Sequence, residues 1–222
     1  MNFDFLSKTS LFQGCLAEDI SGMADRLGFL TACYKKGAVI YEEGTITHNI
    51  GMVLSGSVQI GHNDIWGNNS ILSIAKAGDV FAEAYACIPK EPLMIQAEAN
   101  EPCEILFINV PKLFAPCRDC AMQNQVIQNL VAISAQKSLQ LSRRCLHTSP
   151  KTIRGRLLSY FSQLVSQQGS AKIVSPFNRQ QLADYLNLDR SALSKELGKM
   201  KQEGFIEYHK NTFVIKKLIV IK

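Results

Sequence analysis

The chain has 222 residues, 46% of them hydrophobic, and a formal net charge of +5. That composition excludes an extensively disordered chain, and no stretch is apolar for long enough to span a bilayer. The seven cysteines are odd in number, and the N-terminus lacks a basic start followed by an apolar run, which together point to a cytoplasmic protein without a disulfide framework.

Residues 1–30 have helical spacing, with Leu27, Phe29 and Leu30 placed to pack them onto the next segment of the chain. From Tyr34 to about Val110 the texture changes to short Val, Ile, Leu and Phe runs between turns. Ala38 to Tyr41 precedes Glu42-Glu43-Gly44, and Ile50 to Leu54 precedes Ser55-Gly56-Ser57. Ile71 to Ile74 leads to Ala77-Gly78-Asp79, and Glu104 to Val110 is a last apolar run. Such a series predicts an antiparallel roll, barrel or sandwich.

Pro111 and Pro116 punctuate the chain, and Cys117 to about Leu146 then holds no Gly or Pro. Its apolar residues include Val126, Ile127, Leu130, Ile133 and Leu141, on more than one stripe. A helix apolar over so wide an arc buries on two sides. The expectation is one side on its own roll and the other on the same helix of a second subunit. Cys117 and Cys120 form a CxxC at the start of this helix, a candidate redox couple or half a metal site that Cys87, Cys103 or a histidine would have to complete. The four histidines are scattered and read as turn or surface residues, and His147 to Pro150 as a hinge.

Beyond the hinge the charge changes sign. Residues 144–222 hold 14 Lys+Arg against 5 Asp+Glu, and residues 1–143 hold 10 against 14. A basic C-terminal third on a mildly acidic remainder is the footprint of a nucleic-acid-binding module attached to a module with another task. Inside the basic third, Asn178 to Gly204 spells two short amphipathic helices. Leu182, Ala183 and Leu186 are the inward positions of the first, and Leu193, Leu197 and Met200 of the second. Asn178 with Gln181 makes a capping box, Asp189 caps the second helix, and Gly204 ends it. The outer face of the second helix carries Arg190, Ser191, Ser194, Lys195 and Lys199, which can hydrogen-bond base edges or phosphates. Phe205 to Tyr208 and Thr212 to Ile215 then predict a hairpin with Lys210 at its tip.

In this order the segments resemble the CRP/FNR superfamily of bacterial transcription regulators. The resemblance rests on Glu42-Glu43-Gly44, Val53 to Val58, Gly78 to Glu83, Asn178 to Ala183 and Asp189 to Lys195, and covers nearly the whole chain. It implies an α+β protein: a cyclic-nucleotide-binding-like, cupin-like β-roll over residues 1–116, a long dimerisation helix over 117–146 and a winged helix-turn-helix over 147–222. It implies base contacts by Arg190, Ser191, Ser194 and Lys195. Backbone contacts fall to Asn178, Arg179 and Gln180, with Lys199 and Lys210 added on their position. The implied partners are double-stranded DNA, a second copy of the chain and RNA polymerase.

In the cyclic-AMP-binding branch a Gly-Glu pair in the roll is followed by an Arg-Ser pair that holds ribose and phosphate. Here Ala82 precedes Glu83, and Leu93-Met94 stands at the Arg-Ser place. A cyclic-nucleotide phosphate there would be buried without a cation, at a cost of several kcal/mol by order of magnitude. Cyclic AMP is therefore not the expected effector. Phe81, Glu83, Leu93 and Met94 are pocket candidates for a neutral or aromatic molecule, and Cys117 and Cys120 for a thiol redox signal. The cysteine cluster of the oxygen-sensing branch is not matched, since only Cys15 lies near the N-terminus. No nucleophile–base set, phosphate loop or metal cluster predicts an enzyme. The rival reading is a cyclic-nucleotide-binding module with a non-DNA output.

Overall fold

The computed structural model describes residues 1–63, 69–116 and 121–216. In chain order the elements are α1 Phe3–Leu6, α2 Ala17–Ala24, β1 Leu30–Tyr34, β2 Val39–Tyr41, β3 Asn49–Ser55, β4 Ser57–Asn63, β5 Asn69–Lys76, β6 Val80–Phe81, α3 Glu83–Cys87, β7 Gln96–Ala99, β8 Cys103–Asn109 and α4 Val110–Phe114. They continue with α5 Ala121–Thr148, α6 Ile153–Gln168, β9 Lys172–Val174, α7 Arg179–Leu186, α8 Arg190–Gln202, β10 Ile206–His209 and β11 Thr212–Ile215. They form two compact units, residues 1–136 and 137–222.

The first unit is the antiparallel roll that the turns predict. One sheet has the order β1-β8-β3-β6 and the other β2-β7-β4-β5. Its turns need glycine where the chain reverses sharply. Gly56, between β3 and β4, has φ +76°, and a Cβ there would meet Cys103 Cβ at 2.8 Å. Gly51 plays a different part, since the Phe81 ring lies where its Cβ would be. Between the sheets Val53, Val58, Phe81, Leu93, Ala97, Ala99 and Ile105 are buried together. Tyr41 bridges Phe81 and Phe107 edge-on, at 5.8 Å from each ring. Burial pushes its hydroxyl up to about 12 while Asn49 O accepts from it at 2.8 Å.

A second core joins α1, α2 and the first half of α5 to the roll, through Leu6, Leu11, Phe12, Ile20, Leu27, Ile50, Leu106, Leu113, Val126 and Leu130. Leu27 and Phe29 pack as expected. Leu30 does not: it opens β1 and is 66% exposed. The sequence pattern also passes over α3 and α4, five residues each, too short to show a helical period.

The dimer assignment of the long helix needs a larger correction. Val126 and Leu130 are 0% and 2% exposed inside the core of their own unit, and Ile127 and Ile133 pack against that core. They are the inward stripe of α5. Leu141, at 64%, is exposed together with Val131, Leu139 and Leu146. The two apolar stripes are legible in the sequence, but periodicity alone does not say which one the chain covers itself.

Candidate nucleic-acid interface

The second unit builds a winged helix-turn-helix around one core of Leu157, Phe161, Ile173, Leu182, Leu186, Leu193, Leu197, Met200, Ile206 and Phe213. Its boundaries follow from local hydrogen bonds. Asn178 Oδ1 accepts from Gln181 N at 2.9 Å, and Gln181 Oε1 accepts from Asn178 N at 2.9 Å. Asn187 ends α7 in the left-handed region at φ +57°. Asp189 Oδ1 accepts from Ala192 N at 2.9 Å and starts α8. The Ser191 hydroxyl also donates to that carboxylate, and these bonds hold Asp189 below the usual carboxylate range. Strands β10 and β11 pair antiparallel with His209 opposite Thr212, so His209 belongs to the strand and Lys210-Asn211 is the turn.

Arg190, Ser191, Ser194, Lys195 and Lys199 are all exposed on α8, opposite buried Leu193, Leu197 and Met200. The two serines share a further property. Ser191 donates to Asp189 Oδ1, and Ser194 donates to Arg190 O at 2.9 Å. With its proton so engaged, each hydroxyl turns lone pairs outward and is an acceptor, whereas Arg190 and Lys195 are donors only.

The expected backbone contacts divide. Lys199 and Lys210 are exposed, Lys210 at the wing turn with φ +51°. Asn178 is engaged by its cap, and Gln180 donates to Asp184 Oδ1 at 2.9 Å. Arg179 is half-buried. Its guanidinium stacks over Tyr208 at 5.2 Å and Phe213 at 5.4 Å and donates to Lys210 O at 3.2 Å. It ties α7 to the wing. Arg154 is likewise engaged, with Glu196 at 2.6 Å and Glu203 at 2.6 Å, which joins α6 to α8.

Sequence reasoning misses the residues behind α7. Arg144 donates to Asp184 O and Tyr185 O, both at 3.2 Å. Arg156 donates to Leu186 O at 3.0 Å and Asn187 O at 2.9 Å. His147, expected in a turn, is 3% exposed in the last turn of α5, with Nδ1 3.0 Å from the Tyr185 hydroxyl. No local pattern announces these bonds, which join residues 30 to 41 positions apart.

The effector candidates lie in the first unit. Phe81 and Leu93 are each 1% exposed in the same cluster, and Glu83 is buried at the start of α3, behind Ala82 at φ +60°. A non-glycine residue there costs about 1 kcal/mol. Met94 is 67% exposed, in the bend that precedes β7, and does not belong to the apolar interior. Cys117 and Cys120 lie outside the described residues. Cys15, Cys87 and Cys103 have thiols pushed up by burial, which keeps them protonated. Among the described residues no three His, Cys, Asp or Glu side chains converge as metal ligands, and no helix is long and apolar enough to cross a membrane.

Residues 32–119 match the cyclic nucleotide-binding domain family, and residues 155–218 match the Crp-like helix-turn-helix domain family. Among solved structures, the chain resembles the catabolite activator protein of Thermus thermophilus at 19% identity, covering 93% of each chain, with a TM-score of 0.50. It resembles CprK complexed with OCPA at 16% identity, covering 90% of this chain and 92% of that one, with a TM-score of 0.63. No protein of curated function matches the chain.

Proposed function

Since the chain belongs to the CRP/FNR family of DNA-binding transcription regulators, we propose that it acts as a homodimer on a two-fold symmetric site and that α8 reads the bases. The observation that carries this is the outer face of α8: four exposed polar side chains on a doubly capped helix, donors at Arg190 and Lys195, acceptors at Ser191 and Ser194. Arg190 and Lys195 suit guanine O6 and N7, while the serines suit the amino groups of adenine or cytosine. Lys199 and Lys210 hold phosphates and set the register. The protein is not an enzyme in this reading, works in the cytoplasm, and meets RNA polymerase at its promoters.

The second subunit docks on the exposed stripe of α5. Within the second unit, Ser138, Ser142 and Cys145 of α5 are spaced four and three residues apart and are all exposed, the spacing of a coiled-coil seam. Their small side chains let two helices approach closely.

Cyclic AMP is not the effector in this reading: Leu93-Met94 stands in sequence at the Arg-Ser place, and Leu93 is buried while Met94 is exposed. A neutral or aromatic molecule near Phe81 and Leu93, or a thiol signal at Cys117 and Cys120, takes that role.

A gel shift on random duplex DNA tests the DNA output. A retarded complex is expected, weakening steeply with salt as counterions are released, and millimolar cyclic AMP leaves it unchanged. Absence of any shift at low salt would favour the non-DNA rival. Strengthening by cyclic AMP would overturn the view of the roll.

A further inference from the structure

The last turn of an α-helix leaves backbone carbonyls without intrahelical partners, at the negative end of the helix dipole. In α7 four consecutive carbonyls there, Asp184 to Asn187, accept from two guanidinium groups. Arg156 comes from α6, within the helix-turn-helix fold. Arg144 comes from the long helix α5. One turn further along α5, His147 packs its ring against Tyr160 at 5.6 Å and Tyr185 at 5.7 Å, with Nδ1 facing the Tyr185 hydroxyl. Tyr160 in turn shares a 2.7 Å hydrogen bond with Ser175. The compact unit that contains the helix-turn-helix accordingly begins at Lys137, inside α5.

Resting on the DNA-binding reading above, we propose that Arg144 and His147 are positioning residues for DNA recognition. They latch the end of α5 to α7, and α7 carries α8 through their shared core of Leu182, Leu186, Leu193 and Leu197. The end of the long helix and the recognition helix then turn as one body. His147 to Pro150, the natural hinge by sequence, is not where the DNA-binding unit comes loose. In a dimer built along α5, the latch therefore sets the separation and angle of the two recognition helices, which is the quantity that half-site spacing reports. Arg144 belongs to the basic third of the chain, yet its donors face peptide carbonyls. Its part in DNA binding is geometric.

The test uses the full-length chain and duplexes selected from random DNA, together with copies whose half-sites are one base pair closer or farther apart. The wild type should discriminate against both altered spacings. In Arg144→Gln that discrimination should fall about tenfold, the loss expected for hydrogen bonds to a charged group, while the salt slope and binding to an isolated half-site stay unchanged. Tyr185→Phe, which removes one hydroxyl, should relax it by a smaller factor and covers the case in which Arg144→Gln fails to fold. Equal weakening at every spacing would reduce Arg144 to a merely stabilising residue. A salt slope shallower by about one would make it a phosphate contact. Either result, or intact discrimination in Tyr185→Phe, overturns the latch. A wild type that selects no sequence overturns the DNA-binding reading itself.

Discussion

A side chain's hydrogen bonds decide what it can offer a partner. Ser191 and Ser194 could be donors or acceptors by sequence, and the caps and carbonyls around them make them acceptors. Arg179 reads as a free cation at a helix start, yet the wing aromatics and a peptide carbonyl engage it. Burial disfavours its charged form. His147 is the clearest case for a measurable consequence. Burial disfavours the imidazolium and lowers its pKa below the ordinary 6.5, against a weaker opposing bond with Gln163. On acidification the unfolded chain therefore takes the proton first. Stability is full above about pH 6.5 and is lost as pH falls below it, until the folded histidine itself titrates. Thermal melts at pH 7.5 and 5.5 should show a drop in the DNA-binding unit that His147→Gln reduces. An equal drop in both proteins would remove His147 from the acid response.

Among elements, the helix-turn-helix is the most legible in the sequence, for a physical reason. Its caps join residues three apart, and its core positions follow one helical period, so every signal is local. The roll is legible as a class because its turns need particular residues, but its strand order rests on pairings such as β1 with β8, some 70 residues apart. The long helix shows the limit. Its two stripes are visible, but the expectation of Leu130 at the dimer seam fails, because α1, α2 and the roll cover that side. Leu130→Ala should cost about 2–5 kcal/mol of stability in the first unit, as cavity formation does in other cores. The seam should instead report at Ser138. In a chain stripped of its own cysteines, Ser138→Cys should give a disulfide-linked dimer on mild oxidation, and Gln136→Cys, two residues off the stripe, should not. Equal crosslinking at the two positions, or none at Ser138, would contradict a parallel seam along α5.

At the scale of the molecule, charge and architecture separate two tasks. The mildly acidic N-terminal part forms the roll, while the basic C-terminal third builds the helix-turn-helix and the end of the long helix. Not all of that positive charge is aimed outward. Arg144 and Arg156 are held by α7, Arg154 by Glu196 and Glu203, and Arg179 by the wing. Arg190, Lys195 and Lys199 on α8 and Lys210 at the wing turn are exposed, and this surface is the one proposed to meet DNA. The central claim is that two copies of this surface read one symmetric site. Selection from random duplex DNA, run in parallel with the wild type and with Arg190→Ala, tests it most directly. The wild type should enrich a palindrome whose half-sites lie about 10 base pairs apart, each with guanine opposite the Arg190 and Lys195 positions and adenine or cytosine opposite the serines. Arg190→Ala should lose preference at one base pair per half-site, worth about 1–3 kcal/mol, while keeping the rest. Enrichment of no motif by the wild type, or of an asymmetric motif that Arg190→Ala leaves untouched, would contradict the claim.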